Sequence, residues 1–114
     1  MAHAPRGNFF EDFRIGQRFQ HATPRTLHGG DLALYIALTG DRRPVSSSTE
    51  FARSLGFGRE VVHDLLGFHV VFGKTVGDVS HNAVANLGYA RVLFPRPIYP
   101  GDTLTAETEV IGLR

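Results

Sequence analysis

The stretch from Val61 to Val79 limits what this chain can become more than any other feature. It is apolar over most of a helix circumference, yet it carries His63, Asp64, His69, Lys74 and Asp78. Five such groups at that density exclude a membrane span, which needs about 20 mostly apolar residues. The segment is therefore expected to be a helix buried in protein and covered on most sides. Gly73 and Gly77 stand one turn apart and predict a flat face lying close to another backbone. On that reading Gly73→Leu does far more damage than Lys74→Leu, whose charge reaches solvent.

The remaining residues have to supply the cover. Residues 1 to 8 are polar or small and expected to fray. Phe9, Phe10 and Phe13, with Glu11 and Asp12, then read as a short aromatic anchor or a helical turn. Ile15 to Leu27 alternates, with Gln17, Phe19, His21 and Thr23 on one face, and Pro24 suits it to a sheet edge. Leu32, Tyr35, Ile36 and Thr39 fall at helical spacing, and Gly40 stands where a left-handed terminal residue is usual. Pro44 excludes helix interior; Ser46, Ser47 and Ser48 read as a polar loop and cap before a short helix from Thr49 to Leu55. Ala83 to Phe94 is a strand candidate, closed by Pro95-Arg96-Pro97. Tyr99-Pro100-Gly101-Asp102 is a turn, and Thr103 to Ile111 alternates as a half-buried antiparallel strand. The expected class is α+β, one domain over residues 1–114. Three strands are few for such a helix, so more cover is expected from a continuation or a partner chain.

Charge narrows the function classes. Twelve Lys and Arg against eleven Asp and Glu give a net charge of +1, with no basic block, which argues against a nucleic-acid binder. The absence of cysteine excludes disulfide scaffolds, thiolate metal sites and a cysteine nucleophile, and fits a reducing, cytoplasmic compartment. Met1 to Phe13 has no apolar run after its positive charge, so no secretory leader is expected.

Three clusters carry possible chemistry. Asp41 follows a helix end and is either a general acid–base group or a turn aspartate bonding its own backbone. His63-Asp64 opens the long helix, where unpaired N–H groups would hold an oxyanion, or where Asp64 merely answers those groups. His69, Lys74 and His81 lack metal-ligand spacing, and the single Glu60-x-x-His63 is a chance pattern without the further pairs a di-iron site needs. No metal is expected. Arg42, Arg43, Arg91 and Arg96 are either solvated or able to meet an anionic ligand.

Asn8-Phe9-Phe10-Glu11-Asp12-Phe13, Ile15-Gly16-Gln17, Leu38-Thr39-Gly40-Asp41, Glu50 to Gly58 and Phe94 to Leu104 together resemble a MaoC-like dehydratase domain. Phe68 to Val76 and Asn82 to Ala90 are similar, more narrowly, to the N-terminal half of the members that hydrate mesaconyl-CoA, which are tandems of two units. The resemblance implies a hotdog fold, in which a long helix lies in a curled antiparallel sheet. It implies a lyase: reversible water addition to a mesaconyl-CoA-like enoyl-CoA thioester, with no cofactor besides the coenzyme A of the substrate. The sheet reads as truncated after its third strand, and the chain as part of a longer protein, working as a homo-oligomer or paired with a second hotdog unit and without a membrane or nucleic-acid partner.

Carried over position by position, the resemblance makes Asp41 and His63 the catalytic candidates and Asp64, Ser46 and Arg43 the substrate-binding ones. Two positions depart from the family pattern Gly-Asp-x-Asn-Pro-x-His. Arg43 stands for the asparagine, and Ser46 stands for the histidine, a poor base near neutral pH. Asp64 also replaces the glycine that follows the family's histidine at the helix start. Two rival readings follow. One is a non-catalytic half that binds acyl-CoA beside a second, catalytic unit. The other is a thioesterase in which Asp64 or Glu50 activates water.

Overall fold

The structure is a computed structural model and describes residues 7–114. A single turn at Phe10–Asp12 is followed by β1 (Arg18–Gln20), β2 (Arg25–Thr26) and α1 (Gly29–Thr39). Next come α2 (Pro44–Ser47), α3 (Thr49–Ser54) and α4 (Asp64–Thr75), which runs into a wider π-type turn at Val76–Ser80. Strands β3 (Thr103–Leu104) and β4 (Glu107–Glu109) close the order.

The strands form two antiparallel ladders. β1 pairs with β4, with Phe19 opposite Thr108, and β2 pairs with β3, with Thr26 opposite Thr103. The alternation read from Thr103 to Ile111 holds: Leu104, Ala106, Thr108 and Val110 turn inward, while their neighbours face out. What was expected to be one strand there is two. Thr105 and Ala106 form the corner at which the chain leaves one ladder for the other. The opposite strand bends at the same place, where Thr23 has a φ of 63°, in the left-handed region, just before Pro24. Lys74 Nζ donates to the Thr23 carbonyl, tying α4 to this corner.

The core is small. Leu27, Val62 and Val70 are buried together, with Leu66, Ile98 and Leu104 packed on them. Helix α4 presents Leu66 and Val70 to this group, and Gly67 between them is buried. A Cβ at Gly67 would stand 2.6 Å from Ile98 Cδ1, so Gly67 is the place of close approach. The expectation for Gly73 is corrected: a Cβ there would meet nothing within 4 Å. Close approach depends on which face meets the core, and two glycines a turn apart do not reveal that.

Three further expectations are corrected. Val61 and Val62 are extended rather than helical, because their N–H groups bond the carbonyls of Val45 and Ile98. Helix α4 is covered on one side only; Leu65 and Val76 are exposed. Ala83 to Phe94 forms no strand. Val84 and Leu87 are fully exposed, and no neighbouring strand offers the stretch a ladder. It reaches the helix through Tyr89 instead, whose ring meets Phe68 and Phe72 edge-on at 5.1 and 5.6 Å.

The other elements stand as read, with local differences, except that Phe9 and Phe10 are exposed and Phe10–Asp12 is a turn rather than an aromatic anchor. Gly40 ends α1 at a φ of 70°, and Ser48 Oγ caps α3 by accepting the Phe51 N–H. Pro44 opens α2 at its first position, where the missing N–H costs nothing, so Ser46 and Ser47 are helical. The cap of α1 comes from inside the helix: Asp31 accepts the His28 N–H at 2.8 Å and pairs with Arg25. Asn8 is anchored rather than frayed, donating to the Asp78 carbonyl at 2.8 Å; residues 1–6 lie outside the described residues. His21 is buried and joins three elements, meeting Asp78 at 2.7 Å and Thr108 at 2.6 Å.

This packing predicts a reversal of the glycine expectation. Gly67→Val should lower stability by about 1–3 kcal/mol through overpacking against Ile98. Gly73→Ala should leave it unchanged or raise it by up to about 1 kcal/mol, since glycine is a weak helix former. Urea denaturation of both variants checks this, and a larger loss at Gly73 would contradict the helix orientation.

Candidate active site

Four of the five site candidates converge. Asp41 follows α1, Arg43 precedes α2, and His63 and Asp64 open α4. Asp41 Oδ2 lies 3.8 Å from His63 Nε2 and 3.6 Å from Arg43 Nε. Arg43 Nη1 lies 3.8 Å from Asp64 Oδ2 on its other side. These separations exceed a direct hydrogen bond, so the groups face one another across gaps. Asp41 is 9% exposed in its side chain and His63 17%. Asp41 Oδ1 accepts the Arg43 N–H at 3.1 Å, the turn role foreseen as the alternative for this residue. Its other oxygen, Oδ2, is buried and has no hydrogen-bond partner among the described residues, and the same is true of Arg43 Nε.

The helix start fixes the state of His63. Its Nδ1 accepts the Leu65 N–H at 3.1 Å, so in the neutral ring the proton resides on Nε2, which faces Asp41. The Leu66 and Gly67 N–H groups both bond the His63 carbonyl. Of the first four N–H groups of α4, the Asp64 N–H is therefore the one left without a partner among the described residues. Tyr35, read from the sequence as a helix-face residue, packs on His63 with ring centroids 5.0 Å apart. Its spacing with Leu32 and Ile36 signalled an inward face but not what that face would meet.

Ser46 does not join the group. Its Oγ is buried without a partner among the described residues, and it lines a second cavity with Glu60, Leu32 and Ile36. Beside the cluster, a cavity of about 360 Å³ is lined by Arg43, Asp64 and Arg96 and by apolar side chains including Leu55, Phe57 and Phe94. Among the described residues no three His, Asp or Glu side chains converge as metal ligands do, and no helix is long and apolar enough to cross a membrane.

The segment leading into α4 is pinned by Glu60. Its carboxylate accepts a short hydrogen bond from the Thr49 hydroxyl and pairs with Arg59, while Arg59 Nη1 donates to the Pro100 carbonyl at 3.2 Å. The Thr49 bond, aided by Arg59, holds the Glu60 carboxyl below its ordinary value of 4.5.

A profile of the MaoC like domain matches residues 11–114. The chain belongs to the MaoC-like family. Among its relatives, beta-methylmalyl-CoA dehydratase of Chloroflexus aurantiacus is 60% identical over 95% of this chain and 31% of the relative. Mesaconyl-CoA hydratase of Cereibacter sphaeroides is 56% identical over 95% of this chain and 32% of the relative. The crystal structure of a MaoC domain protein from Chloroflexus aurantiacus superposes with a TM-score of 0.93 at 57% identity, covering 98% of this chain and 32% of that one. This MaoC-like chain has the α+β hotdog fold that the resemblance implied, and it spans about a third of the length of these relatives.

Because folded Glu60 takes up its proton less readily than the unfolded chain does, its contribution to stability is present above the ordinary glutamate range. It is lost as pH falls through the lowered folded value. Thr49→Val should therefore cost about 1.5–3 kcal/mol near neutral pH, the scale of a hydrogen bond to a charged group, and much less in acid. Urea midpoints for both proteins at pH 7 and pH 3 check this; an equal loss at both would contradict it.

Proposed function

We propose that this chain carries the reacting site of a hydro-lyase that adds water reversibly to a mesaconyl-CoA-like enoyl-CoA thioester. One observation carries the reading: the buried, unpartnered Asp41 Oδ2 faces the Nε2–H of His63 across 3.8 Å. A gap of that size between an acceptor and a donor suits one bridging water. Relatives named as a dehydratase and a hydratase support it, since the two names describe one reaction in opposite directions.

The chemistry follows from the geometry. The water donates one hydrogen bond to Asp41 and accepts one from His63, which aims its oxygen at the β-carbon. As the C–O bond forms, Asp41 takes the proton from the breaking O–H bond. The electron pair moves onto the thioester oxygen, where the Asp64 N–H and the positive end of α4 would stabilise it. Asp41 then returns the proton to the α-carbon. The expected loss of the family histidine at Ser46 is answered in this reading by His63, which reaches Asp41 from another element. Arg43 balances Asp41 and Asp64. Ser46 takes no step.

The reading includes partners. The uncovered side of α4, with Leu65 exposed on it and Val76 exposed just after its end, supports pairing with another copy or with a second hotdog unit. A cytoplasmic setting accords with a chain that has no cysteine.

The test is hydration of mesaconyl-CoA, followed as loss of enoyl-thioester absorbance, by the protein as its source makes it. Asp41→Asn should lower turnover by about 10²-fold or more, the scale of a positioned acid–base group. Turnover left nearly intact would place the chemistry in a different unit and make this one a binding half. Release of free thiol would make the protein a thioesterase.

A further inference from the structure

The cavity beside Asp64 holds a cation that the mechanism does not use. Arg43 is committed, with Asp41 on one side at 3.6 Å and Asp64 on the other at 3.8 Å. Arg96 lines the same cavity and has no carboxylate or hydrogen-bond partner among the described residues. The other basic residue of this neighbourhood, Arg59, is answered by Glu60 and the Pro100 carbonyl. Pro95 and Pro97 flank Arg96 and limit its backbone freedom, so the guanidinium is carried on a stiff segment. The remaining walls are apolar, with Val45, Leu55, Phe57 and Phe94 prominent. A cavity of about 360 Å³ with one uncommitted cation in an apolar lining suits a short branched chain that ends in an anion.

We infer that Arg96 is a specificity residue that receives a second, free carboxylate on the acyl group of the thioester. The inference rests on the hydratase reading and deepens it, since it names the residue that would meet the free carboxylate of a mesaconyl-type acyl group. Arginine suits the task because its planar fork meets both oxygens of a carboxylate at once. Arg96 is exposed, which limits the effect to a modest factor, because solvent and salt screen such a pair. Coenzyme A also carries phosphates, which are anions of the same chemistry. The two sources are separated by changing the acyl end alone.

The experiment compares two substrates on the protein as its source makes it: mesaconyl-CoA, and 2-methylcrotonyl-CoA, which has a methyl group in place of the free carboxylate. The readout is the ratio of their kcat/KM values for wild type, Arg96→Gln and Arg96→Lys. Arg96→Gln should lower that ratio by about tenfold or more, and Arg96→Lys should restore part of it. An unchanged ratio overturns the inference. So does an equal fall for both substrates, which would assign Arg96 to the phosphates of coenzyme A. If wild type hydrates neither thioester, the hydratase reading fails, and calorimetric binding of the same two thioesters decides the inference by itself. Tighter binding of the carboxylated one, lost in Arg96→Gln, upholds it; equal binding overturns it.

Discussion

The N–H of Val62 donates to the carbonyl of Ile98 at 2.8 Å, and the Val62 side chain is buried against Leu27 and Val70. The arrangement of the site depends on that clamp. It stops the apolar stretch from being helical at its start, so the chain turns at His63 and opens α4 there. Had the helix begun at Val61, the Val62 N–H would have lost its partner, and His63 would have been one more side chain inside a helix. The clamp also brings the segment from Phe94 to Ile98 against the helix start, so Phe94 and Arg96 share a cavity with Asp64. A single long-range backbone hydrogen bond and three buried side chains thus set the position of groups that lie far apart in sequence.

Electrostatics explains why the cluster is held together. A carboxylate as buried as Asp41 is costly unless charges or donors answer it. The Arg43 N–H answers one oxygen directly; the Arg43 guanidinium and the Nε2–H of His63 face the other from beyond direct hydrogen-bond distance. That incomplete answer leaves acceptor capacity pointed at a donor, which is the property a water-activating carboxylate needs. The cap at His63 has a second effect. By spending Nδ1 on the Leu65 N–H, it fixes the tautomer and makes the ring a donor toward Asp41. A capping bond of ordinary strength therefore sets a chemical role.

Much of this was legible in the sequence, and the misses have physical causes. Period-two alternation set Leu104, Ala106 and Thr108 on one face of their strand and His21 on one face with Phe19, because a strand's faces follow from its pleat alone; burial shows those faces to be the inward ones. Gly40 and Ser48 were readable as helix-end residues for similarly local reasons. The corner at Thr105 and Ala106 was not readable, since alternation continues through it while the pairing partner changes. Ala83 to Phe94 has strand-like composition, but a strand needs a neighbour, and composition does not supply one. For the site, Asp41 and His63 were each visible as candidates, but their approach required knowing that α1 and α4 bring Tyr35, Asp41 and His63 together. The resemblance pointed to Ser46 as a lost histidine; only the fold placed His63 opposite Asp41. Arg96 read as one of four arginines either solvated or able to meet an anion, and its neighbours' pairing singled it out.

A crystal structure of the protein with the β-hydroxyacyl-CoA product bound would test the central claim most directly. The account predicts the β-hydroxyl within about 3 Å of both Asp41 Oδ2 and His63 Nε2, with the thioester oxygen on the Asp64 N–H. A product seated with its hydroxyl away from these two side chains, or with the thioester oxygen elsewhere, would contradict it.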